Sequence, residues 1–270
     1  MIGDLGDGHA KTFVFDLDGV VYVDHMGVPG AGETLAFLER SGHQVLFATN
    51  NSSRAVDAVV ENIRNQTGFE ACPETIITSG LAAADLLRGD DETCLVLGSP
   101  GLEQTLEAAG ITVTSDHTEA TTLVVGLDRG LSYERLAGAV LAVRRGARFI
   151  ATNDDATYPM PDGQYPGCGA LVAAVERATA VSPIVCGKPN GPMRTLIERR
   201  IEHPDVWMVG DRPGTDLALA ARAGWGKILV LTGVTGVVDN LAPALRPDHT
   251  LGSIAELPSI VSAKNTRSGG

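Results

Sequence analysis

The stretch FVFDLDGVVY, residues 13–22, sets two carboxylates, Asp16 and Asp18, directly after an apolar run and follows them with Gly19. The run FVFDLD (13–18) reads as a buried strand. Carboxylates in a buried strand repel one another and lose their hydration, so they belong at its carboxyl end and need something to offset the repulsion. Asp-Gly after a strand is also a common turn, so DxDG alone fits either a turn or a ligand site.

Outward from this stretch, short apolar runs alternate with helical patterns. ETLAFLERSG is a helix closing at Gly42, HQVLFATN (43–50) a second strand, AVDAVVENIRNQTG a helix stopped by Gly68, TIITS (75–79) a third strand and LAAADLLRG a further helix. This βαβαβα order predicts a parallel sheet wrapped by helices. The scheme repeats with TCLVLG, LEQTLEAAG, TLVVGLD, YERLAGAVLAVRRG and RFIATN. It breaks at DDATYPMPDGQYPGCG, whose turn formers argue against continuous regular structure. After the helix ALVAAVERAT, the last third returns to strands at VWMVGD (206–211) and KILVLTG (227–233), with the helix LALAARAG between them.

Open α/β sheets bind ligands beyond the carboxyl ends of their strands, and three polar clusters fall at such ends: DLDG, TNNSSR and GDRPGTD. A hard divalent cation such as Mg²⁺ takes oxygen ligands and keeps several waters, so two or three carboxylates and a carbonyl suffice. Asp16, the region of Asp18 and Asp211 offer that set, and Asp216 could hold a metal-bound water or brace Lys188. In TNNSS, hydroxyl, amide and backbone donors precede a helix, where anions are favoured; Ser52 or Ser53 would serve equally as its N-cap. Lys188, one of few lysines, sits in the turn-rich GKPNGP. Beside several acids and a metal it would supply the positive charge that a phosphate dianion needs.

At 270 residues, 44% hydrophobic, the chain can bury a large core. A net charge of -12 without a basic run argues against a nucleic-acid surface. The acidic, Lys-poor balance would suit a high-salt cytoplasm, although a GC-rich genome also depletes Lys. Cys72, Cys94, Cys168 and Cys186 show no CxxC pair or metal-ligand spacing and read as ordinary thiols of a reducing compartment. No signal segment or membrane-spanning run is visible, so a cytoplasmic protein without membrane contact is expected.

Taken in order, Asp16-Leu17-Asp18-Gly19-Val20, Thr49-Asn50-Asn51-Ser52, Gly187-Lys188-Pro189 and Gly210-Asp211-Arg212 through Thr215-Asp216 resemble the four motifs of the haloacid dehalogenase superfamily. The insert between the second and third motifs, with VVGLDRGLSYERL, FIATNDD and PGCGALVAAVERAT, is similar to the NagD-like phosphatase branch, subfamily IIA, which carries an α/β cap there. The resemblance implies a doubly wound, Rossmann-like parallel-sheet core at 1–88 and 182–270, interrupted by an inserted cap at 89–181. It implies a phosphatase of small phosphomonoesters, with Asp16 as nucleophile, Asp18 as acid and base, and Thr49, Asn50 and Lys188 cradling the phosphoryl group. Mg²⁺ would be held by the Asp16 carboxylate, the Asp18 carbonyl and Asp211, with Asp216 behind them.

Gly19, Asn51 and Ser52 complete the implied phosphate site, and Asn153, Asp154, Asp155, Tyr158, Pro159 and Asp162 of the cap are candidate substrate contacts. Asp162-Gly163 reads equally as a turn, and Tyr158 as a packing residue; some relatives have His there. Sugar, glycerol, nucleotide and pyridoxal phosphates all fit, and a homodimer through the cap is expected. The second Asp of DxD argues against a dehalogenase, and the lack of membrane spans against an ion pump. The interval of about 30 residues between Asp18 and Thr49 leaves no room for the helical cap of a phosphomutase. A phosphometabolite-binding protein without catalysis is the alternative on the same scaffold.

Overall fold

The computed structural model describes residues 5–23, 26–160, 162–235 and 241–262. The chain divides into two compact units. One comprises Met1–Ala48, Val59–Ile76 and Ile197–Gly270, the other Thr49–Ala58 and Ile77–Leu196.

In the first unit, parallel pairings order the strands His249–Leu251, Gly226–Val230, Val206–Gly210, Thr12–Phe15 and Gln44–Thr49. The two central strands, TFVF and VWMVG, are buried at every position. A parallel strand covered on both faces reads as a continuous apolar run for this reason. Phe13 and Phe15, Phe15 and Phe47, and Phe47 and Phe69 stand with ring centroids 6.3, 6.3 and 6.1 Å apart, a line of aromatic contacts through the core. Helix Ala31–Arg40 buries Ala31, Thr34, Leu35 and Leu38, the spacing of one helical face. From Thr12–Phe15 the chain passes to Gln44–Thr49 on one side and Val206–Gly210 on the other. The first strand is therefore the switch point of the sheet, where such folds open a ligand crevice.

The second unit has its own parallel sheet, in the order Ile184–Val185, Arg148–Ala151, Thr122–Val125, Thr93–Leu97, Thr112–Thr114. Helices Tyr133–Arg144 and Cys168–Thr179 bury Ala139, Val143, Leu171, Val172 and Val175 with Leu97, Leu123, Val125 and Phe149. Ser132 caps the first of these helices by accepting from the Arg135 amide. The inserted region is thus an α/β layer, as the resemblance implies.

Two readings need correction. The first strand ends at Phe15, so both carboxylates lie beyond it. The Gly- and Pro-rich segment after Asp155 holds an antiparallel hairpin, Thr157–Met160 with Gly163–Pro166, pairing Tyr158 with Tyr165. Its prolines are tolerated because a two-stranded ribbon consists of edges. Helix Ala218–Ala223 is entered through a π-helical turn, Pro213–Leu217. Among the described residues, no helix is long and apolar enough to cross a membrane.

Candidate active site

In the first unit, Asp16 follows the strand Thr12–Phe15 and Asp211 follows Val206–Gly210. The ladder aligns Phe15 with Val209, and the Asp16 amide donates to the Val209 carbonyl at 2.9 Å. Neighbouring strands lie about 4.8 Å apart, so both carboxylates leave the sheet at one level. Asp216 joins them from the π-turn: one carboxylate oxygen each from Asp16, Asp211 and Asp216 lie within 4.8 Å of one another, and all three residues are buried. Buried carboxylates this close need a cation between them. Their all-oxygen chemistry fits a hard divalent ion, so the donor set suits the Mg²⁺ that the resemblance implies.

The surrounding backbone fits closely. Leu17 O accepts from the amides of Val20, Val21 and Tyr22 at 3.2, 2.9 and 3.3 Å, folding DLDGVV into a tight loop. Gly19 has φ +90, and a Cβ there would stand 2.6 Å from Asp211 Oδ2, so both conformation and space require glycine. Thr232 Oγ1 donates to Gly19 O at 2.6 Å, and the Val234 amide donates to Asp211 Oδ2 at 2.7 Å. Asp216 Oδ2 accepts from the Arg212 amide at 3.0 Å. Asp18 is exposed, outside the buried carboxylate set.

The second unit assembles a polar network around Asn50 and Lys188, 9% and 1% exposed. Thr49 Oγ1 accepts from the Asn51 amide at 3.0 Å, leaving its proton to donate elsewhere. Asn50 Oδ1 accepts from the Lys188 amide, and Asn153 Nδ2 donates to Asn50 O at 2.8 Å. Asn51 is exposed, and its Oδ1 accepts from both the amide and the hydroxyl of Ser53. Ser52 is buried and shares a hydrogen bond with Thr152 Oγ1. Among the described residues, the bonds of Ser52 and Ser53 run to Thr152 and Asn51.

Of the cap candidates, Asn153 and Asp155 belong to this network, while Asp154 and Pro159 are exposed. Asp162 lies in the hairpin turn and accepts from Tyr165 OH at 2.9 Å. Tyr158 packs edge-on to Tyr165, and the Arg129 guanidinium lies 5.2 Å from its ring centroid. Ser79, whose hydroxyl donates to Asn50 O, and Thr232 were not singled out from the sequence. A threonine after the strand Gly226–Val230, at the sheet end that carries Asp16, was the available signal for Thr232. Burial pushes the Cys168 and Cys186 thiols up to about 11 and about 12. Both stay protonated, and neither competes with the carboxylates as a nucleophile.

The family model described as haloacid dehalogenase-like hydrolase matches residues 13–112, and a second, HAD-hydrolase-like, matches 185–257. The acid sugar phosphatase of Staphylococcus aureus is 35% identical over 92% of this chain and 98% of its own. The glycerol phosphate phosphatase of Mycobacterium tuberculosis, solved in complex with magnesium, superimposes with a TM-score of 0.83 at 33% identity, covering 91% of this chain and 76% of that one. NagD from Escherichia coli K-12 gives 0.82 at 31% identity, covering 92% and 98%. A buried carboxylate set at the switch point of a doubly wound sheet and likeness to these proteins over nine-tenths of the chain together establish that it belongs to the haloacid dehalogenase-like hydrolases, in their NagD-like phosphatase branch.

Proposed function

We propose that the protein hydrolyses small phosphomonoesters through an aspartyl-phosphate on Asp16, with Mg²⁺ as cofactor. The observation that carries this reading is the convergence of Asp16, Asp211 and Asp216 within 4.8 Å in a buried setting. Asp16, Asp211 and the Asp18 carbonyl would hold the ion, with Asp216 beside them. Bound there, Mg²⁺ supplies charge neutralisation for the phosphoryl oxygens.

In the first half-reaction an Asp16 oxygen bonds to phosphorus as the bond to the leaving oxygen breaks, and Asp18 gives that oxygen its proton. In the second, water bonds to phosphorus and Asp18 takes a proton from it, while the bond from phosphorus to the Asp16 oxygen breaks, restoring the carboxylate and releasing inorganic phosphate. The exposure of Asp18 suits a group that exchanges protons in both steps. The Thr49 hydroxyl and the Lys188 ammonium would hold the transferring group, with Gly19, Asn51 and Ser52 as the further candidates for binding it. Asp154, Tyr158 and Asp162, in the region 89–181 read as the cap, are the candidate contacts for the leaving group.

Names of the relatives point to a small polyol phosphate as substrate. A cytoplasmic homodimer joined through the cap belongs to the same proposal, with light scattering as its test. Hydrolysis of p-nitrophenyl phosphate with Mg²⁺, its loss in EDTA and its loss in Asp16→Asn are the expected results. Activity surviving in Asp16→Asn overturns the covalent route. An inactive wild type on a panel of phosphate esters favours the binding-protein alternative.

A further inference from the structure

Asn50 grips Lys188 by its main chain. Its Oδ1 accepts from the Lys188 amide at 2.7 Å, and its Nδ2 donates to the Lys188 carbonyl at 3.2 Å and to Asp155 Oδ2 at 3.3 Å. A carboxamide has two N–H donors, so both are engaged, and one orientation of the group serves all three bonds. The fit is tight: a Cβ on Gly187 would fall 2.6 Å from Asn50 Oδ1 and 2.7 Å from Thr152 O. The Asn50 carbonyl accepts from Ser79 Oγ at 2.6 Å and Asn153 Nδ2 at 2.8 Å, and Asn153 Oδ1 accepts from the Asp155 amide at 3.2 Å. The segment Asn153–Asp155 therefore touches Asn50 at its side chain and at its backbone.

We propose that Asn50 is a positioning residue whose side chain clips the Lys188 backbone to the segment Asn153–Asp155, and does not itself donate to the phosphoryl group. The inference rests on the phosphatase reading for the role of the Lys188 ammonium. A lysine carries its charge on a flexible four-carbon stem, so anchoring its backbone on both the amide and the carbonyl side restricts where the ammonium stands. In this arrangement Asn153 and Asp155 act on catalysis through Lys188 without touching substrate.

The test is a double-mutant cycle in kcat/KM on p-nitrophenyl phosphate. Asn50→Ala alone is expected to cost on the order of tenfold to a hundredfold, the scale of a misplaced catalytic group. In the Lys188→Met background the same change is expected to cost less than about twofold, because the group it positions is already gone. Asp155→Ala should reduce activity through loss of the Nδ2 anchor, and Asp155→Asn, which keeps an acceptor, should restore most of it. Equal losses from Asn50→Ala in both backgrounds would mean that Asn50 meets the phosphoryl group itself, and would overturn the proposal.

Amide hydrogen exchange of a peptide spanning 186–193 reads the clip without turnover. Faster exchange in Asn50→Ala supports it and unchanged exchange overturns it, including where Lys188→Met is too slow to assay. If the wild type proves inactive on every phosphate ester the phosphatase reading fails, and exchange still decides whether Asn50 holds Lys188.

Discussion

Gly210 shows how closely a single position controls the carboxylate set. A Cβ at 210 would lie 2.3 Å from the Asp216 Cβ and 2.4 Å from its Oδ2. The Cβ is fixed to the backbone of residue 216, so relief of the clash must shift Asp216 as a whole and disturb its place beside Asp16 and Asp211. We expect Gly210→Ala to raise the Mg²⁺ concentration for half-maximal activity by about tenfold or more, the usual cost of disturbing residues around a metal. A Mg²⁺ titration of activity checks this, and an unchanged midpoint would show that Asp216 is dispensable. Thiol chemistry offers a second test at this scale. Cys72 is exposed, whereas Cys94, Cys168 and Cys186 are buried and free. Burial pushes Cys94 up to about 12, as it does Cys186. Alkylation at neutral pH should modify one cysteine in the native protein and four after denaturation, counted by mass. A second fast-reacting thiol would contradict the packing of the second unit, which holds all three buried cysteines.

At the level of elements, what the sequence discloses depends on burial. The strands TFVF and VWMVG are covered on both faces, so their apolar runs stand out and place Asp16 and Asp211 at neighbouring ends. The hairpin Thr157–Met160 with Gly163–Pro166 is mostly exposed and shows no apolar alternation. Its composition therefore reads as loop, although two tyrosines pair across it. TNNSS was legible as an anion-binding or capping cluster, without the separate task of each side chain. Which of its atoms cap a helix, hold phosphate or hold Lys188 depends on partners at 152, 153, 155 and 188, about 100 or more residues away.

The opposite end of the first strand carries a different device. Lys11 is fully buried, with its Nζ 2.7 Å from both Asp7 Oδ1 and Asp205 Oδ2. Burial works against its charge, yet the hydrogen bonds to Asp205 and Asp7 prevail and raise its pKa above the ordinary lysine value of 10.5. Burial also opposes the Asp7 charge, and the bonds from Lys11 and His9 still lower its pKa. Lys11→Met should destabilise by about 2 kcal/mol, below the range for a fully buried pair because both carboxylates keep some solvent. A raised lysine contributes fully below its unfolded pKa and loses that contribution as pH rises through the folded value. A lowered aspartate contributes above its unfolded pKa and loses it as pH falls through the folded value. The gap in stability between wild type and variant should therefore be widest near neutrality and narrow at both extremes. Urea unfolding across pH measures it, and a gap independent of pH would assign the loss to packing alone.

For the whole molecule, charge is the property that local packing leaves unbalanced. The formal net charge is -12, with 21 basic against 33 acidic residues. Such an excess repels itself most strongly in the compact state, where the charges are closest together. Added salt shortens the reach of that repulsion from roughly 10 Å at 0.1 M to about 3 Å at 1 M, while pairs with a buried partner, such as Arg135, 37% exposed, with Asp128, 3% exposed, are screened less. The balance predicts that melting temperature rises between low and molar KCl. Sodium sulfate would confound the measurement, because it strengthens apolar burial in any protein; KCl acts chiefly by screening. A rise that saturates near the ionic strength where the screening length falls below the spacing of surface charges would identify self-repulsion as its source. A flat or falling melting temperature would mean that attractive surface pairs outweigh the net charge, and that the acidic composition confers no tolerance of salt.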